Sequence, residues 1–170
     1  MRDTDWAEFA PEKRRGAVFS DNREYRYRLW RAWDLNKPAI AFVMLNPSTA
    51  DEVSLDPTCR RCRNYAEDWG YGKLIVGNIF ALRSTDPNEL YEHPDPVGPE
   101  NDKYLREVCA DAEKVIAAWG NHGQYQDRGR EVAEMLDVDL YALDTNNSGE
   151  PVHPLYQPSD IEPVQLGGGT

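Results

Sequence analysis

An uninterrupted apolar run, AIAFVML at residues 39–45, constrains the fold of this chain more than any other feature of its sequence. A strand with one exposed face alternates apolar and polar side chains, so a run without alternation predicts a central strand that is buried on both faces. Three further apolar runs, at residues 73–80, 115–119 and 138–143, each follow a stretch with helical periodicity. Strands that alternate with helices predict an α/β fold, with a mostly parallel four-stranded central sheet between two layers of helices.

The segment before this run predicts an N-terminal β-hairpin. Residues 17–20 and 24–29 flank a turn signal, and the second run alternates apolar with charged side chains. A period of two gives this strand a buried and an outer face. We expect Tyr25, Tyr27 and Leu29 on the buried face, and Glu24, Arg26 and Arg28 on the outer face.

The 170 residues, of which 40% are hydrophobic, are enough for a single ordinary core. We expect a polar lead-in over residues 1–15, one α/β domain over residues 16–160 and a flexible tail over residues 161–170. No run approaches the roughly 18 apolar residues of a membrane span, and the acidic, polar N-terminus does not resemble a signal peptide. We therefore expect a cytoplasmic protein with no membrane partner. The sequence leaves its oligomeric state open.

Two of the three cysteines, Cys59 and Cys62, form a C-x-x-C motif. That spacing is typical of zinc and redox sites, but here both cysteines share a helical stripe with Ala66 and Trp69. The helix begins after Asp56, which can cap its free amides. Because no second C-x-x-C completes a set of four ligands, we predict that the pair packs in the core. We expect neither a metal nor a cofactor.

The formal net charge of -11 disfavours a broad surface for nucleic acid, because it repels phosphate. The charge is uneven: residues 1–64 are mildly basic, and the acidity lies in the remainder. Acidity with few lysines is also typical of proteins adapted to high salt. Two groups of arginines in the basic part fit either a local anion-binding face or solvated surface charge: Arg23, Arg26, Arg28 and Arg31, and then Arg60, Arg61 and Arg63.

In α/β sheets, ligands bind beyond the carboxyl ends of the strands, commonly where the strand order reverses. The loop after the first central strand, LNPSTADE, concentrates short polar side chains at that edge. Asn46 leads the candidates there, because its amide can present a donor and an acceptor to a ligand or a water. Pro47 stiffens the chain beside it, and Ser48 adds a hydroxyl group. The alternative is an asparagine that only closes the loop through backbone hydrogen bonds.

His153 leads the candidates after the fourth strand, from which a loop of about ten residues separates it. A loop of that length can fold back over the strand ends. Near neutral pH a histidine donates a hydrogen bond or a proton, and Pro154 holds the segment extended. We therefore predict that His153 is the proton donor of the site.

The loops after the second and third strands supply the other candidates. Arg83, Ser84 and Thr85 offer a cation and two hydroxyl groups to an anion, although Arg83 could instead pair with Asp86. After the third strand, glycines permit close backbone approach, and His122 either lines the site or lies in a surface turn. The predicted ligand-binding residues are Pro47, Ser48, Asn78, Arg83, Ser84, Thr85, Trp119, Gly120, His122 and Tyr156.

Eight motifs occur in order along the chain: YRYRLWRAWD, FVMLNPSTADE, DPTCRRC, WGYG, NIFALRSTDP, DPVGPEND, AWGNHG and HPLYQP. Over about residues 16–158 they resemble an uncharacterised bacterial and viral family, the domain of unknown function 1643. Asn-Pro after the first strand, ALRST after the second, Trp-Gly after the third and His-Pro after the fourth also resemble, more remotely, the uracil-DNA glycosylase superfamily.

The second resemblance implies a uracil-DNA glycosylase-like α/β/α fold and a glycosylase-like hydrolase of N-glycosidic bonds. Asn46 falls where that superfamily has an aspartate or asparagine that positions the attacking water. His153 falls where it has the histidine that stabilises the departing base. Tyr156 falls in the region of the superfamily's wedge into the duplex. The implied partner is a nucleotide, a nucleobase or a nucleic acid.

Two other functions stay open on the sequence. Asp51, Glu52 and Asp56 could serve a metal-dependent nucleotide hydrolase. The same pocket could instead belong to a non-catalytic module that binds nucleotides or nucleic acid. The glycosylase-like function requires that residues distant in sequence meet, so we expect one rim of the sheet to hold Asn46, Arg83, Trp119 and His153.

Overall fold

The computed structural model describes residues 14–166. Most of the predicted lead-in and the end of the predicted tail, residues 1–13 and 167–170, lie outside this range, so the predicted domain boundaries stay predictions. No helix in the described range is long and apolar enough to cross a membrane.

The secondary-structure elements of residues 14–166 follow in this order: β1 (Arg15–Phe19), β2 (Arg26–Ala32), β3 (Ala39–Met44), α1 (Pro57–Asp68), β4 (Lys73–Asn78), α2 (Asn88–Glu92), α3 (Asn101–Ala110), β5 (Lys114–Ala118), a 3₁₀ helix (Asn121–Asp127), α4 (Arg128–Met135), β6 (Leu140–Ala142) and β7 (Val164–Gln165).

The seven strands form one mixed sheet in the order β1-β2-β4-β3-β5-β6-β7. The four central strands are parallel to one another, as their helical connections predict. The outer pairings, β1 with β2, β2 with β4 and β6 with β7, are antiparallel. The α/β prediction is therefore confirmed. A four-stranded, mostly parallel sheet describes only the centre of a larger sheet.

The sheet is larger because the N-terminal hairpin belongs to it. Leu29 of β2 pairs with Val76 of β4, so the hairpin continues the central sheet. At the other edge, Val164 of β7 pairs with Ala142 of β6. A strand of two residues carries no hydrophobic pattern, so β7 left no signal in the sequence.

Two hydrophobic clusters lie on opposite faces of the central strands. Side chains alternate along β3, with Ala39, Ala41 and Val43 in one cluster and Ile40 and Phe42 in the other. The first cluster includes side chains of α2, α3 and α4, and the second includes those of α1. Every residue of β3 is buried, which confirms the prediction made from its apolar run.

The predicted outer face of β2 is wrong, because Arg26 and Arg28 are only 1% and 3% exposed. β2 lies inside the sheet between β1 and β4, and both of its faces are covered, since Tyr27 belongs to one hydrophobic cluster and Leu29 to the other. Arg28 forms a buried ion pair with Asp111, which follows α3, at 2.9 Å. Arg26 reaches the opposite side, where its Nη1 donates to the carbonyl oxygen of Ala50 at 3.0 Å.

Helix α1 begins as its sequence predicts. Asp56 is the N-cap, and its Oδ1 accepts from the backbone N–H of Cys59 at 2.8 Å. The prediction that Cys59 and Cys62 are core residues is confirmed, since both are at most 1% exposed. Burial raises the pKa of Cys59 to about 12, so its thiol is protonated near neutral pH.

Candidate functional site

A cleft of about 600 Å³ opens at the carboxyl ends of the parallel strands. The chain passes from β3 to β4 on one side and then to β5 on the other, so the strand order reverses between β3 and β5. Residues that follow these two strands form much of the cleft wall, at the place where α/β folds commonly bind ligands. The predicted site residues in its lining are Asn46, Pro47, Ser48, Ser84, Thr85, Trp119, Gly120, His122, His153 and Tyr156.

Asn78 and Arg83 are the predicted site residues that do not line the cleft. Asn78 is 2% exposed at the end of β4, and its Oδ1 accepts from Arg26 Nη2 at 3.3 Å. Arg83 turns toward the hairpin: its Nη1 donates to the carbonyl oxygen of Arg23 at 3.2 Å, and its guanidinium lies over the Phe19 ring. The structure thus brings Asn46, Trp119 and His153 together without Arg83. What these residues do stays a prediction.

The Asn46 side chain uses its amide nitrogen to hold the loop. Nδ2 lies 3.0 Å from the carbonyl oxygen of Ser84, 3.1 Å from that of Pro47 and 3.3 Å from that of Leu82. A flipped amide would set Oδ1 against three carbonyl oxygens, so the orientation is fixed by its surroundings. Among residues 14–166 no hydrogen bond is donated to Oδ1. Asn46 therefore offers the cleft an acceptor and no donor.

The His153 ring is half-buried and has a defined tautomer. Its Nδ1 accepts from the backbone N–H of Leu155 at 3.2 Å, so the proton of the neutral ring is on Nε2. Burial lowers the pKa of His153, and the negative charge of Asp56 opposes this shift only in part. The ring is therefore neutral near pH 7 and can donate a hydrogen bond from Nε2.

Gly120 and Trp119 shape the wall behind His153. Gly120 has φ +71°, and a Cβ there would lie 3.7 Å from the Cβ of His153, so the backbone passes close to the histidine. Trp119 is 3% exposed, and its Nε1 donates to Glu150 at 2.7 Å. Its ring fills the space left by Gly123, where a Cβ would meet the indole at 2.1 Å. Trp119 thus supports the wall and offers little ring surface to a ligand.

The rim of the cleft is polar and includes one prominent aromatic side chain. Ser84 Oγ donates to the carbonyl oxygen of Asp86 at 2.6 Å. The Tyr91 hydroxyl and His122 Nδ1 are hydrogen-bonded at 2.7 Å. Tyr156 is 92% exposed and has φ +72°, a conformation that is strained for a residue other than glycine. Such strain is typical of functional segments.

The carboxylates considered for a metal site are engaged elsewhere. Asp51 Oδ1 accepts from the backbone N–H groups of Val53 and Ser54, which lowers the pKa of Asp51. Glu52 pairs with Arg23 at 3.2 Å. Asp56 does line the cleft, but it caps α1. No group of three or more His, Cys, Asp or Glu side chains within residues 14–166 is arranged to hold a metal ion.

Arg26 lines the cleft and was absent from the predicted site. Sequence periodicity predicts an outer face for it, because alternation alone does not reveal that other segments cover both faces of the strand. The available signal is the density of arginines between Arg23 and Arg31, which fits an anion-binding face but equally fits solvated surface charge.

Comparison with known proteins identifies the family of the chain. No curated protein and no solved structure matches it. Residues 26–155, three quarters of the chain, match the family described as "Protein of unknown function (DUF1643)". The matched range includes Arg26, Asn46 and His153. The chain belongs to this family of unknown function.

Proposed function

We propose that the cleft binds a nucleobase and that the protein hydrolyses the N-glycosidic bond between that base and its sugar. One observation carries this proposal: the same cleft is lined by an acceptor to which nothing donates, Asn46 Oδ1, and by an available donor, His153 Nε2–H. Its volume, about 600 Å³, falls within the range of small-molecule sites.

The two groups match the charges that develop in this reaction. As the bond between the sugar C1′ and the base nitrogen breaks, negative charge grows on the base oxygen and positive charge on the sugar. A hydrogen bond from His153 Nε2 to the base oxygen strengthens as that charge grows, so it lowers the barrier. A neutral histidine suits this role, because the ring donates a hydrogen bond without needing to transfer its proton.

Asn46 suits the other half of the reaction. An amide cannot take a proton from water, so Asn46 is not a general base. Its Oδ1 can accept a hydrogen bond from the attacking water and aim the water oxygen at C1′. The new bond joins that oxygen to C1′. One proton of the water is released, and the electrons of the broken bond leave with the base.

The arrangement of the sheet supports the remote resemblance to uracil-DNA glycosylases as part of the same proposal. Support comes from the four parallel central strands with helices on both faces, an arrangement compatible with the α/β/α fold that the resemblance implies. Asn46 follows β3, and His153 follows β6, in the order of the superfamily's motifs. Tyr156 is exposed at the rim, and we expect it to contact a base or its neighbour.

The first test is a thermal-shift screen, because a ligand that binds only the folded state raises the melting temperature. We would screen nucleobases, nucleosides, nucleotides and uracil-containing oligonucleotides, and then follow release of free base from each ligand by chromatography. The proposal expects release that persists with a chelator. Binding without release would favour the non-catalytic module. Release abolished by the chelator would favour the metal-dependent hydrolase. Both outcomes contradict the proposal.

A further inference from the structure

The Arg26 guanidinium is enclosed by protein but only partly satisfied. It is 1% exposed, and its terminal nitrogens donate to the carbonyl oxygen of Ala50 at 3.0 Å and to Asn78 Oδ1 at 3.3 Å. Nε has no hydrogen-bond partner. A guanidinium has five N–H donors, so these two oxygen acceptors leave most of its donor capacity unused. The sulfur of Cys59 lies beside it and is a weak acceptor.

The positive charge of Arg26 also lacks a direct partner. It takes part in none of the ion pairs formed among residues 14–166, whereas Arg28, two residues along the same strand, is paired with Asp111. Asp56 is near enough to influence Arg26, but its oxygens accept from the backbone N–H groups of Cys59 and Ala50. A buried charge without a counter-charge is costly, and neutral carbonyl groups offset that cost only in part.

We propose that Arg26 binds a phosphate monoester at the inner wall of the cleft. Together with the proposed function, on which the choice of nucleobase rests, this makes the ligand a nucleoside monophosphate and not a free base or nucleoside. Arginine suits the role, because its planar donors match phosphate oxygens and charge-assisted hydrogen bonds are strong.

The position of Arg26 favours a mononucleotide over a strand of nucleic acid. Arg26 is 1% exposed but belongs to the lining of the cleft, so only a group that enters the cleft, such as a terminal phosphate, can approach it. A phosphodiester within a strand lying across the rim cannot. The net charge of -11 repels a polyanion more than a single phosphate group. Serine and threonine hydroxyls in the same lining, such as Ser48 and Thr58, can solvate the remaining phosphate oxygens.

The wild-type protein tests this inference without any substitution. Isothermal titration would compare inorganic phosphate with uridine, thymidine and guanosine and with their 5′-monophosphates. At least one monophosphate should bind about tenfold or more tightly than its nucleoside, the gain expected of charge-assisted hydrogen bonds to phosphate. Equal affinities would overturn the phosphate site. So would tighter binding of a single-stranded oligonucleotide that lacks a terminal phosphate.

Variants then locate the phosphate. Arg26→Gln should remove the advantage of the monophosphate while leaving affinity for the nucleoside within about twofold, and Arg26→Lys should keep part of it. Arg130→Gln is the control: it makes the same change in net charge at an exposed position outside the cleft. An advantage that survives in a folded Arg26→Gln protein would overturn the assignment.

These measurements separate the two proposals. Binding of inorganic phosphate that depends on Arg26, with no binding of any nucleoside, would support the phosphate site and contradict the nucleobase function. Binding and cleavage of nucleosides, with no gain from a phosphate, would support the nucleobase function and overturn the phosphate site.

Discussion

Arg26 and Arg128 are buried to nearly the same extent, at 1% and 2% exposure, yet their surroundings differ. Around Arg128, Nη2 donates to Asp102 at 2.6 Å, Nη1 pairs with Glu131, and Nε donates to the carbonyl oxygen of Ile79 at 2.8 Å. All three of its nitrogens have partners, and two of the partners are carboxylates. Arg26 has two neutral oxygen acceptors, a free Nε and no ion pair within residues 14–166.

The difference separates groups that serve the fold from groups that are available to a ligand. Arg128 joins α3, α4 and the chain after β4, so its contacts account for its burial. The indole N–H of Trp119 likewise has a partner within the protein, the carboxylate of Glu150. In the cleft, Arg26, Asn46 and His153 each use only part of their hydrogen-bonding capacity on the protein. All three residues line the same cleft.

The largest effect is expected from removing the donor in the cleft. Once a substrate is found, His153→Ala should lower the single-turnover rate by about 10²- to 10³-fold, since one preorganised donor typically contributes that much. Substrate binding should weaken far less, because the hydrogen bond strengthens in the transition state. The measurement is the single-turnover rate beside the dissociation constant.

His93 supplies the matched control for that variant. It lies outside the cleft, with Nε2 against Glu24 and Nδ1 accepting from the backbone N–H of Asp95. His93→Ala should leave the single-turnover rate at saturation unchanged. If His153→Ala weakens binding and leaves the rate intact, His153 only lines the pocket. An unused hydrogen-bond donor in the cleft would then not indicate a catalytic role.

The next effect concerns stability and tests the comparison directly. Arg128→Met should lower the free energy of unfolding by about 3 kcal/mol, because it removes charge-assisted hydrogen bonds to Asp102 and Glu131 and one of the two donors to the Ile79 carbonyl oxygen, the other being Asn101 Nδ2. Arg26→Met should lower it by less than about 1 kcal/mol, because relief of an uncompensated buried charge offsets the lost hydrogen bonds. Urea denaturation of both variants measures the difference.

Both variants introduce the same side chain at the same degree of burial, so each is the control for the other. An equal loss at the two positions would show that the neutral acceptors around Arg26 stabilise its charge as well as carboxylates do. The argument for a missing anion would then lose its energetic basis.

A smaller effect is expected where the backbone approaches His153. Gly120 and Gly70 have φ +71° and +90°, and an added Cβ meets nothing within 4 Å at Gly70. Alanine at either position should lower the free energy of unfolding by about 1 kcal/mol through backbone strain. Only Gly120→Ala should also weaken ligand binding, because its methyl group lies against His153. Equal binding by both variants would place the ligand away from this wall.

The sequence predicts the centre of the fold and the place of the site better than the chemistry of the site. The apolar run of β3 requires a strand covered on both faces, and the ends of parallel strands meet at one edge, so Asn46 and His153 could be placed together. The local pattern of apolar and polar residues is enough to predict both the burial of β3 and the edge of the sheet at which the site lies. It does not show that the loop at Ala50 and Cys59 of α1 lie against Arg26 and bury it.

The orientation of polar atoms likewise lies beyond the sequence. Asn46 could have presented a donor or an acceptor, and only the three carbonyl groups around Nδ2 decide the matter. The tautomer of His153 depends on one backbone N–H two residues away. Arg83 follows β4 as predicted, but its side chain turns to Phe19 and away from the cleft. The outcomes for Asn46 and Arg83 depend on contacts between segments distant in sequence.

The smallest expected effect is the pH dependence that His153 adds to stability. Burial lowers the pKa of His153 below its ordinary value of 6.5. As the pH falls through that value, the unfolded chain takes up a proton that the folded ring resists, so unfolding becomes easier. The stability that the neutral His153 ring contributes is fully present above about pH 6.5 and is lost progressively as the pH falls through the lower pKa of the folded state.

His153→Gln, which cannot titrate, isolates this contribution from the other histidines and the carboxylates. Between about pH 7 and pH 5, wild type should lose stability relative to His153→Gln in urea denaturation. Curves that stay parallel would mean that the ring is solvated like an exposed histidine. His153 would then resemble the exposed residues of the rim. Only Arg26 and Asn46 would be left as cleft residues whose hydrogen-bonding groups are partly unused.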